Sequence, residues 1–332
     1  MRHLAGQNLT SIDQRMLEAF RAEGKVVSGE ELSTLLNVSR TAIWKHIKAL
    51  RAFGYNIEAL PSQGYRLLSS PDILIPTEIQ AGLATSRAGK NIICLPETDS
   101  TNLVAFRLAE DGAEEGTVVI ADAQSRGKGR LGREWVSPRG VNLYCSVILR
   151  PSIPPFSAFH LTFLSAVAVA RAVERTASLS TRIKWPNDIL VNGRKIAGLL
   201  NDMSAETEKI NFVILGIGVN LNMRREQFPG DLRHPASSVL LEGGKEVRRI
   251  SFVHALLAEL DFLYDLYLTE GESPIRKEWL DRCRIIGQTV TVSSRDAELT
   301  GTVTGVDESG ALLIRLPDGR EERVLSGDVK IL

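Results

Sequence analysis

The chain of 332 residues has only three cysteines, four methionines, four tryptophans and five histidines, and its forty Lys and Arg balance forty Asp and Glu. Each scarcity excludes something. Cys94, Cys145 and Cys283 are odd in number and far apart, so neither a disulfide framework nor paired metal-ligand spacing fits. A reduced, cytoplasmic protein with its thiols in the core is expected. Zero formal charge excludes a globally basic nucleic-acid binder, so any nucleic-acid surface must be local. No apolar run reads as a membrane crossing, and the amino terminus lacks the cationic-then-apolar order of a secretion signal. The composition, 43% hydrophobic and 24% charged, supports a sizeable core, and the length favours two or three domains.

The most informative stretch present is Gln-Ser-Arg-Gly-Lys-Gly-Arg-Leu-Gly-Arg-Glu-Trp, Gln124 to Trp135. It sets Arg126, Lys128, Arg130 and Arg133 among Gly127, Gly129 and Gly132, after the β-prone run 117–121. Glycines let a ligand approach main-chain amides, and interleaved cations supply fixed positive charge, a combination that suits phosphates. Neither a Walker loop nor a dinucleotide fingerprint is present, because no Gly-Lys-Ser/Thr follows at the right spacing and the third glycine opens no helix. Taken alone, the stretch reads equally well as a solvated basic loop.

Residues 11–21 place Ile12, Met16, Leu17 and Phe20 on one helical face, behind a Ser11-x-x-Gln14 capping box and before Gly24. Ser28 opens a second helix carrying Leu32, Leu35 and Leu36. Ser39 caps a third, with Ile43, Ile47 and Leu50 as its buried stripe and Gly54 as its stop. Residues 55–60 and 65–68 flank Pro-Ser-Gln-Gly and predict a hairpin, so residues 1–68 read as a winged helix-turn-helix. The DNA-contact candidates are Ser39, Arg40, Thr41, Trp44, Lys45, Lys48 and Arg51. Of these, Arg40, Thr41 and Trp44 stand where base edges are usually read, while Lys45, Lys48 and Arg51 would hold phosphates. A three-helix protein-binding module with a solvated basic face would share this pattern.

Residues 69–77 interrupt the periodicity and form the linker to a central domain, residues 78–284. There a strand at 91–95 leads through Pro-Glu-Thr-Asp-Ser-Thr-Asn into a helix. Its hydroxyls and amides serve either as helix caps or as readers of a small neutral group such as a urea or amide. A strand at 141–149, an alanine-rich helix at 156–176 and a short strand broken at Pro186 follow. Residues 189–200 form a hairpin about Asn192-Gly193, with Lys195 just inside the returning strand, where a lysine is commonly a solvated edge residue. Residues 212–222 are a buried strand in which Gly216 and Gly218 permit close approach of a ligand or neighbouring backbone, and residues 248–268 are helical. Such irregular alternation predicts a mixed sheet backed by helices. Residues 285–332 carry four strand patterns, 289–292, 299–306, 311–316 and 322–325, expected as a small antiparallel barrel. The fold class is α+β.

Together, Asp99-Ser-Thr-Asn102, Gln124 with Gly-Lys-Gly-Arg-Leu-Gly-Arg133 and Trp135, Lys184-Trp-Pro-Asn-Asp188, Arg194-Lys-Ile-Ala-Gly198 and Gly216-Ile-Gly-Val-Asn-Leu-Asn222 resemble the biotin protein ligases. With the winged helix in front, the chain looks like the bifunctional ligases that also repress the biotin operon. The resemblance implies a central sheet like that of class II aminoacyl-tRNA synthetases and a Src-homology-3-like barrel at the end. It implies that biotin carboxylate attacks the α-phosphate of ATP carrying Mg2+, giving biotinyl-5′-AMP and pyrophosphate. A lysine of the biotin carboxyl carrier protein of acetyl-CoA carboxylase then takes the acyl group and releases AMP. A carboxylate is already nucleophilic, so the first step needs charge neutralisation rather than an activated Ser, Cys or His.

Carried over motif by motif, the catalytic candidates are Arg130, Lys195 and Asp188. Biotin would be bound by Ser100, Thr101, Asn102, Gln124, Lys128, Gly129, Arg130, Lys195 and Gly198, and ATP or the adenylate by Arg130, Arg133, Trp135, Lys184, Asn187 and Asn220. No dedicated protein metal site is implied; Mg2+ arrives with ATP, with Asn220 beside it. In the second step the carrier lysine must lose a proton, since at a pKa of about 10.4 only a few in ten thousand are neutral at pH 7. Asp188 is the candidate for orienting that amine, and it equally suits a turn cap after Pro-Asn. The adenylate would also be the corepressor, ordering residues 126–133 and favouring a homodimer through the central sheet, which sets two winged helices on operator DNA. No membrane partner is expected. The alternatives are a non-catalytic biotin-sensing repressor, disfavoured by Arg130 and Lys195, and a lipoate or octanoate ligase, disfavoured by the full glycine-rich loop and the winged helix.

The family loop usually carries Arg where Lys128 stands, and an ammonium cannot make a guanidinium's two-pronged contact. Adenylate formation is expected to survive with weaker retention of the adenylate. Lys128→Arg should therefore slow adenylate dissociation relative to the natural chain, and equal off-rates would remove the idea.

Overall fold

Helical spacing of apolar residues builds the first unit, Met1–Ile73. Three helices, α1 (Ser11–Glu23), α2 (Gly29–Leu36) and α3 (Arg40–Ala52), bury Met16, Leu17 and Phe20, then Leu32 and Leu36, then Ile43, Ile47 and Leu50. Side chains set the helix starts. Ser28 and Glu31 cap α2 reciprocally, and Ser39 Oγ accepts from the Ala42 amide at 3.2 Å. The box that starts α1 lies one residue earlier than Ser11 and Gln14: the Thr10 amide donates to Asp13 at 2.9 Å and the Asp13 amide returns to Thr10 Oγ1 at 3.2 Å. A carboxylate accepts the amide bond more strongly than Gln14 could. Asp13 also lies 2.8 Å from His46 Nδ1, tying α1 to α3. The wing is the hairpin of β1 (Asn56–Leu60) and β2 (Gly64–Ser69). Gly64 has φ +135°, and a Cβ there would stand 2.2 Å from the Val27 carbonyl oxygen, so glycine is required where Val27 and Tyr65 exchange hydrogen bonds.

This computed structural model describes residues 9–23, 26–230, 235–293 and 298–332. Gly24, the expected stop of α1, lies outside them.

The second unit, Leu74–Leu332, opens with α4 (Pro76–Gln80), β3 (Ile92–Leu95), α5 (Thr101–Glu110), β4 (Val118–Ala121), β5 (Leu143–Leu149) and α6 (His160–Ala177). It continues through β6 (Arg182–Lys184), β7 (Asp188–Val191), β8 (Arg194–Ala205) and β9 (Ile210–Val219) to α7 (Val239–Gly243), α8 (Arg249–Glu270) and α9 (Ser273–Cys283). Seven strands form one mixed sheet in the order β3-β4-β5-β9-β8-β7-β6, parallel at β3/β4 and antiparallel elsewhere. Alternation sorts its two faces. Val118 and Ile120 join the large core under α6, α8 and α9, while Val119, between them, packs with Ile148, Phe212 and Ile214 against Ala105 and Ala109 of α5.

The expectation that no apolar run reaches membrane length needs correcting: Pro155–Ala177 is long and apolar enough by length and composition. Its burial explains why. Leu161, Phe163, Leu164 and Val167 are packed in the domain core, so the apolarity that would suit lipid is used against protein.

At the end of the chain β10 (Thr289–Ser293), β11 (Glu298–Val306), β12 (Leu312–Arg315), β13 (Glu321–Val324) and β14 (Asp328–Ile331) form an antiparallel sheet in the order β13-β12-β11-β10-β14. It has five strands where four were expected. β14 escapes a reading by period because Val329 alone of its residues is buried. Val290, Val292, Val303, Leu312, Ile314 and Val329 enter the same core as α6, α8 and α9, so this sheet packs directly on the central domain.

Candidate active site

The floor of the site is a glycine trough. Gly198 of β8 lies opposite Gly218 of β9, and Leu200 opposite Gly216. A Cβ at Gly216 would stand 2.2 Å from Asn102 Oδ1, at Gly218 2.7 Å from the Trp135 ring, and at Gly198 3.1 Å from the same ring. The close approach expected at Gly216 and Gly218 is thus made chiefly by two side chains, with the Leu200 carbonyl also near Gly216.

At one end of the trough the groups that line the cleft, Ser100, Thr101, Asn102 and Gln124, are polar and uncharged. Gln124 Oε1 accepts from the Thr101 amide at 2.9 Å and from its hydroxyl at 3.2 Å, while Gln124 Nε2 donates to Ser137 at 3.0 Å. Ser146 Oγ on β5 lies 2.8 Å from Thr101 Oγ1 and 2.7 Å from Asn102 Oδ1. Asn102 Nδ2 donates to the Leu200 carbonyl at 2.9 Å and to Asp202 at 2.7 Å. Simple helix capping does not account for this cluster, since Ser100 precedes α5 yet its side chain makes no capping bond.

The other end is cationic. The glycine-rich stretch folds back on itself: Gly129 donates to the Arg133 carbonyl at 2.7 Å and Trp135 to the Gly127 carbonyl at 2.8 Å. Leu131 (φ +57°) and Gly132 (φ +74°) make the bend in the left-handed region. Arg130 reaches Asn187 Oδ1 at 3.3 Å, and Asn187 Nδ2 donates to the Leu199 carbonyl. Burial pushes the Arg130 pKa below its usual value, opposed by the nearby Asp188 carboxylate. Lys195 Nζ is 2.6 Å from Asp188 and 5.4 Å from the Trp135 ring centroid. Arg133 makes a two-pronged pair with Asp328 of β14, one contact at 3.0 Å, with 38% and 34% of the two side chains exposed. Pairs that open contribute about 0–1 kcal/mol, so this one aims the loop more than it stabilises the fold.

Fourteen of the fifteen cleft candidates, Ser100, Thr101, Asn102, Gln124, Lys128, Gly129, Arg130, Arg133, Trp135, Lys184, Asn187, Asp188, Lys195 and Gly198, line a single cleft. Asn220 is not among them: it is buried, its Nδ2 donating to the Ser237 carbonyl at 3.1 Å and its Oδ1 accepting from Asn142 at 3.3 Å. Tyr144, Trp185 and Asp328 also line the cleft and were not foreseen. The Lys-Trp-Pro-Asn-Asp motif pointed towards Trp185; nothing local pointed to Asp328. The Trp135 indole nitrogen is buried without a partner among the described residues, an open donor at the cleft. Among the described residues, no three His, Cys, Asp or Glu side chains gather as a metal site.

In the first unit, Thr41, Trp44, Lys45 and Lys48 are exposed on α3, with Lys48 Nζ 5.5 Å from the Trp44 ring centroid. Arg40 pairs with Glu30 of α2 at 2.7 Å. Arg51 donates Nε and Nη2 to the Ile57 carbonyl at 2.9 and 2.6 Å, joining α3 to the wing, and Ser39 caps the helix.

Behind Lys195 lies a group that no motif announced. Glu242 of α7, its side chain 1% exposed, accepts from Arg194 Nε and Nη2 at 2.7 Å, from Asn192 Nδ2 at 2.8 Å and from Ser237 Oγ. Chiefly through the Arg194 bonds, its carboxyl is drawn down to about 2.

Residues 94–220 match the model of the Biotin/lipoate A/B protein ligase family, residues 13–66 an HTH domain, and residues 285–332 the Biotin protein ligase C terminal domain. The bifunctional ligase/repressor BirA of Bacillus spizizenii is 37% identical over 97% of this chain and 99% of its own, and that of Escherichia coli is 32% identical over 95% and 96%. A solved biotin protein ligase from Aquifex aeolicus, in complex with biotin and ATP, superposes with a TM-score of 0.62 at 28% identity, covering 73% of this chain and 99% of that one. Fold and cleft define a biotin protein ligase. With its helix-turn-helix unit, the chain belongs to the bifunctional ligase/repressor family.

A carboxyl whose pKa is depressed on folding contributes stability that is present above its unfolded pKa, about 4.3, and is lost as pH falls towards the folded value. Glu242→Gln should therefore flatten the pH dependence of unfolding free energy between about pH 4 and about 2. Denaturant titrations that give the same slope for variant and natural chain would contradict this.

Proposed function

We propose that the chain is an ATP-dependent biotin ligase that forms biotinyl-5′-AMP, transfers biotin to a lysine of a biotin carboxyl carrier protein, and represses biotin synthesis genes with the adenylate as corepressor. One observation carries the ligase half: a single cleft joins a neutral polar end to a cationic end. A ureido ring offers both N–H donors and a carbonyl acceptor to Ser100, Thr101, Asn102 and Gln124, which line that end of the cleft. Lipoate and octanoate carry no ureido group and would make none of those hydrogen bonds.

At the other end Arg130 and Lys195 would receive the carboxylate and the α-phosphate, with Lys128, Lys184 and Arg133 neutralising the remaining charge. Because Asp188 already holds Lys195, an arriving anion takes over part of that partnership and leaves the carboxylate free to orient the carrier amine. Magnesium would enter on the nucleotide and neutralise phosphate charge; the cationic lining suits phosphates rather than a bare cation. Asn220, away from the cleft, fits a role in holding the chain around Ser237 rather than beside the metal.

For repression, Thr41, Trp44, Lys45 and Lys48 are the exposed DNA-facing set. Arg40 can join them, since an exposed pair such as Arg40–Glu30 is worth about 1 kcal/mol or less and yields readily to a phosphate. The two hydrogen bonds of Arg51 to Ile57 suit wing placement better than DNA contact. A cytoplasmic homodimer fits this reading.

Pyrophosphate release with Mg-ATP should occur with biotin and not with lipoate or octanoate, and Arg130→Ala should lower it on the order of a hundredfold or more. Release with lipoate in place of biotin would transfer the reading to that ligase; no release with any acid, in a chain that still binds biotin, would favour a non-catalytic repressor. Sedimentation should show tighter dimerisation with biotinyl-5′-AMP present, and an unchanged dimerisation constant would sink the corepressor mechanism.

A further inference from the structure

Lys195 owes its place to its neighbours. Its amide donates to the Pro235 carbonyl and its carbonyl accepts from the Ser237 amide, both at 2.9 Å, so residues 235–237 run beside it where β9 has already ended. Successive side chains of a strand leave on opposite faces, so Arg194 turns away from the cleft as Lys195 enters it. On that far side one buried carboxylate collects Arg194, the turn residue Asn192 and Ser237. Glu242 does not line the cleft.

We propose that Glu242 is a positioning residue for Lys195, clamping the hairpin end to the 235–237 segment so that the ammonium is presented to the reacting carboxylate and phosphate at one place. The inference deepens the ligase reading and rests on it. The physical need is plain: the end of a two-stranded hairpin frays, and a lysine adds four rotatable bonds of its own, so the backbone at Lys195 must be held by something other than the lysine. A carboxylate saturated by a guanidinium fork, an amide and a hydroxyl is a strong and directional tie. It also neutralises Arg194, which would otherwise stand as an unpaired cation next to Lys195 in sequence.

The test is a double-mutant cycle on the full chain, reading biotin- and ATP-dependent pyrophosphate release. Glu242→Gln should lower kcat on the order of ten- to a hundredfold while KM for biotin moves less than about threefold, as expected when a reacting group is displaced and substrate binding is kept. In the Lys195→Ala background the same substitution should change the rate less than about twofold, because the group it positions is gone. An equal fractional loss in both backgrounds, or an unchanged kcat, overturns the proposal. Should Glu242→Gln fail to fold, Arg194→Lys, which keeps the charge and loses the fork, goes through the same cycle under the same criteria. A natural chain that releases no pyrophosphate overturns the ligase reading and this inference with it; an active natural chain indifferent to Glu242→Gln overturns this inference alone.

Discussion

Five cations, Lys128, Arg130, Arg133, Lys184 and Lys195, line one cleft, and like charges so gathered repel. The fold has to hold them together before any anion arrives. It does so with fewer opposite charges: Asp188 faces Lys195, Asp328 faces Arg133, Glu134 also lines the cleft, and Arg130 reaches the neutral Asn187. Burial lowers the pKa of Arg130, and an anion beside it would favour the charged form again. A site left short of negative charge in this way is poised for a polyanion and for the charge that develops during phosphoryl chemistry.

The surrounding architecture answers that constraint. The cations sit on separate elements: the glycine-rich loop, the end of β6 and the start of β8. Two of these elements are tied by carboxylates from other parts of the fold. The loop is pinned by Asp328 of β14, which gives the carboxyl-terminal sheet a place in the site as well as in the core. The β7–β8 hairpin is pinned by Glu242. The neutral end relies on α5, whose first residues pack onto β5 and β8 through Thr101, Asn102 and Ser146, while glycines at 198, 216 and 218 keep the sheet low enough for Asn102 and Trp135 to lie on it. An alanine at 216 or 218 would overlap Asn102 or the Trp135 ring, and one at 198 would press on Trp135 and Lys195.

Much of the site was legible because its chemistry is written in short, composition-rich motifs: hydroxyls and amides before α5, glycines and cations in the loop, Lys195 after an Asn-Gly turn. Three residues are held in ways that the local pattern does not show. Asn220 sits in a motif with two glycines that do shape the cleft, yet one residue past β9 the chain turns and its amide is used against Asn142 and Ser237. Arg51 follows the basic stripe of α3, yet the wing supplies a carbonyl within its reach. In α1, Gln14 satisfied the capping pattern, and Asp13 displaced it with a charged acceptor that also serves His46. In each case a partner set by packing decides what the side chain holds.

Local patterns therefore settled the elements and the chemical character of the cleft, because helical period, strand alternation, turn residues and caps act within a few positions of the chain. Partnership over long separations was left to packing. Arg133 meets Asp328 across 195 residues, and Arg194 meets Glu242 across 48. Neither pairing leaves a local trace, since an exposed charge and a paired one look alike until two elements are brought within about 3 Å. The same holds for the apolar run at Pro155–Ala177, whose composition would suit lipid and whose neighbours, α8, α9 and the sheet, made it a core.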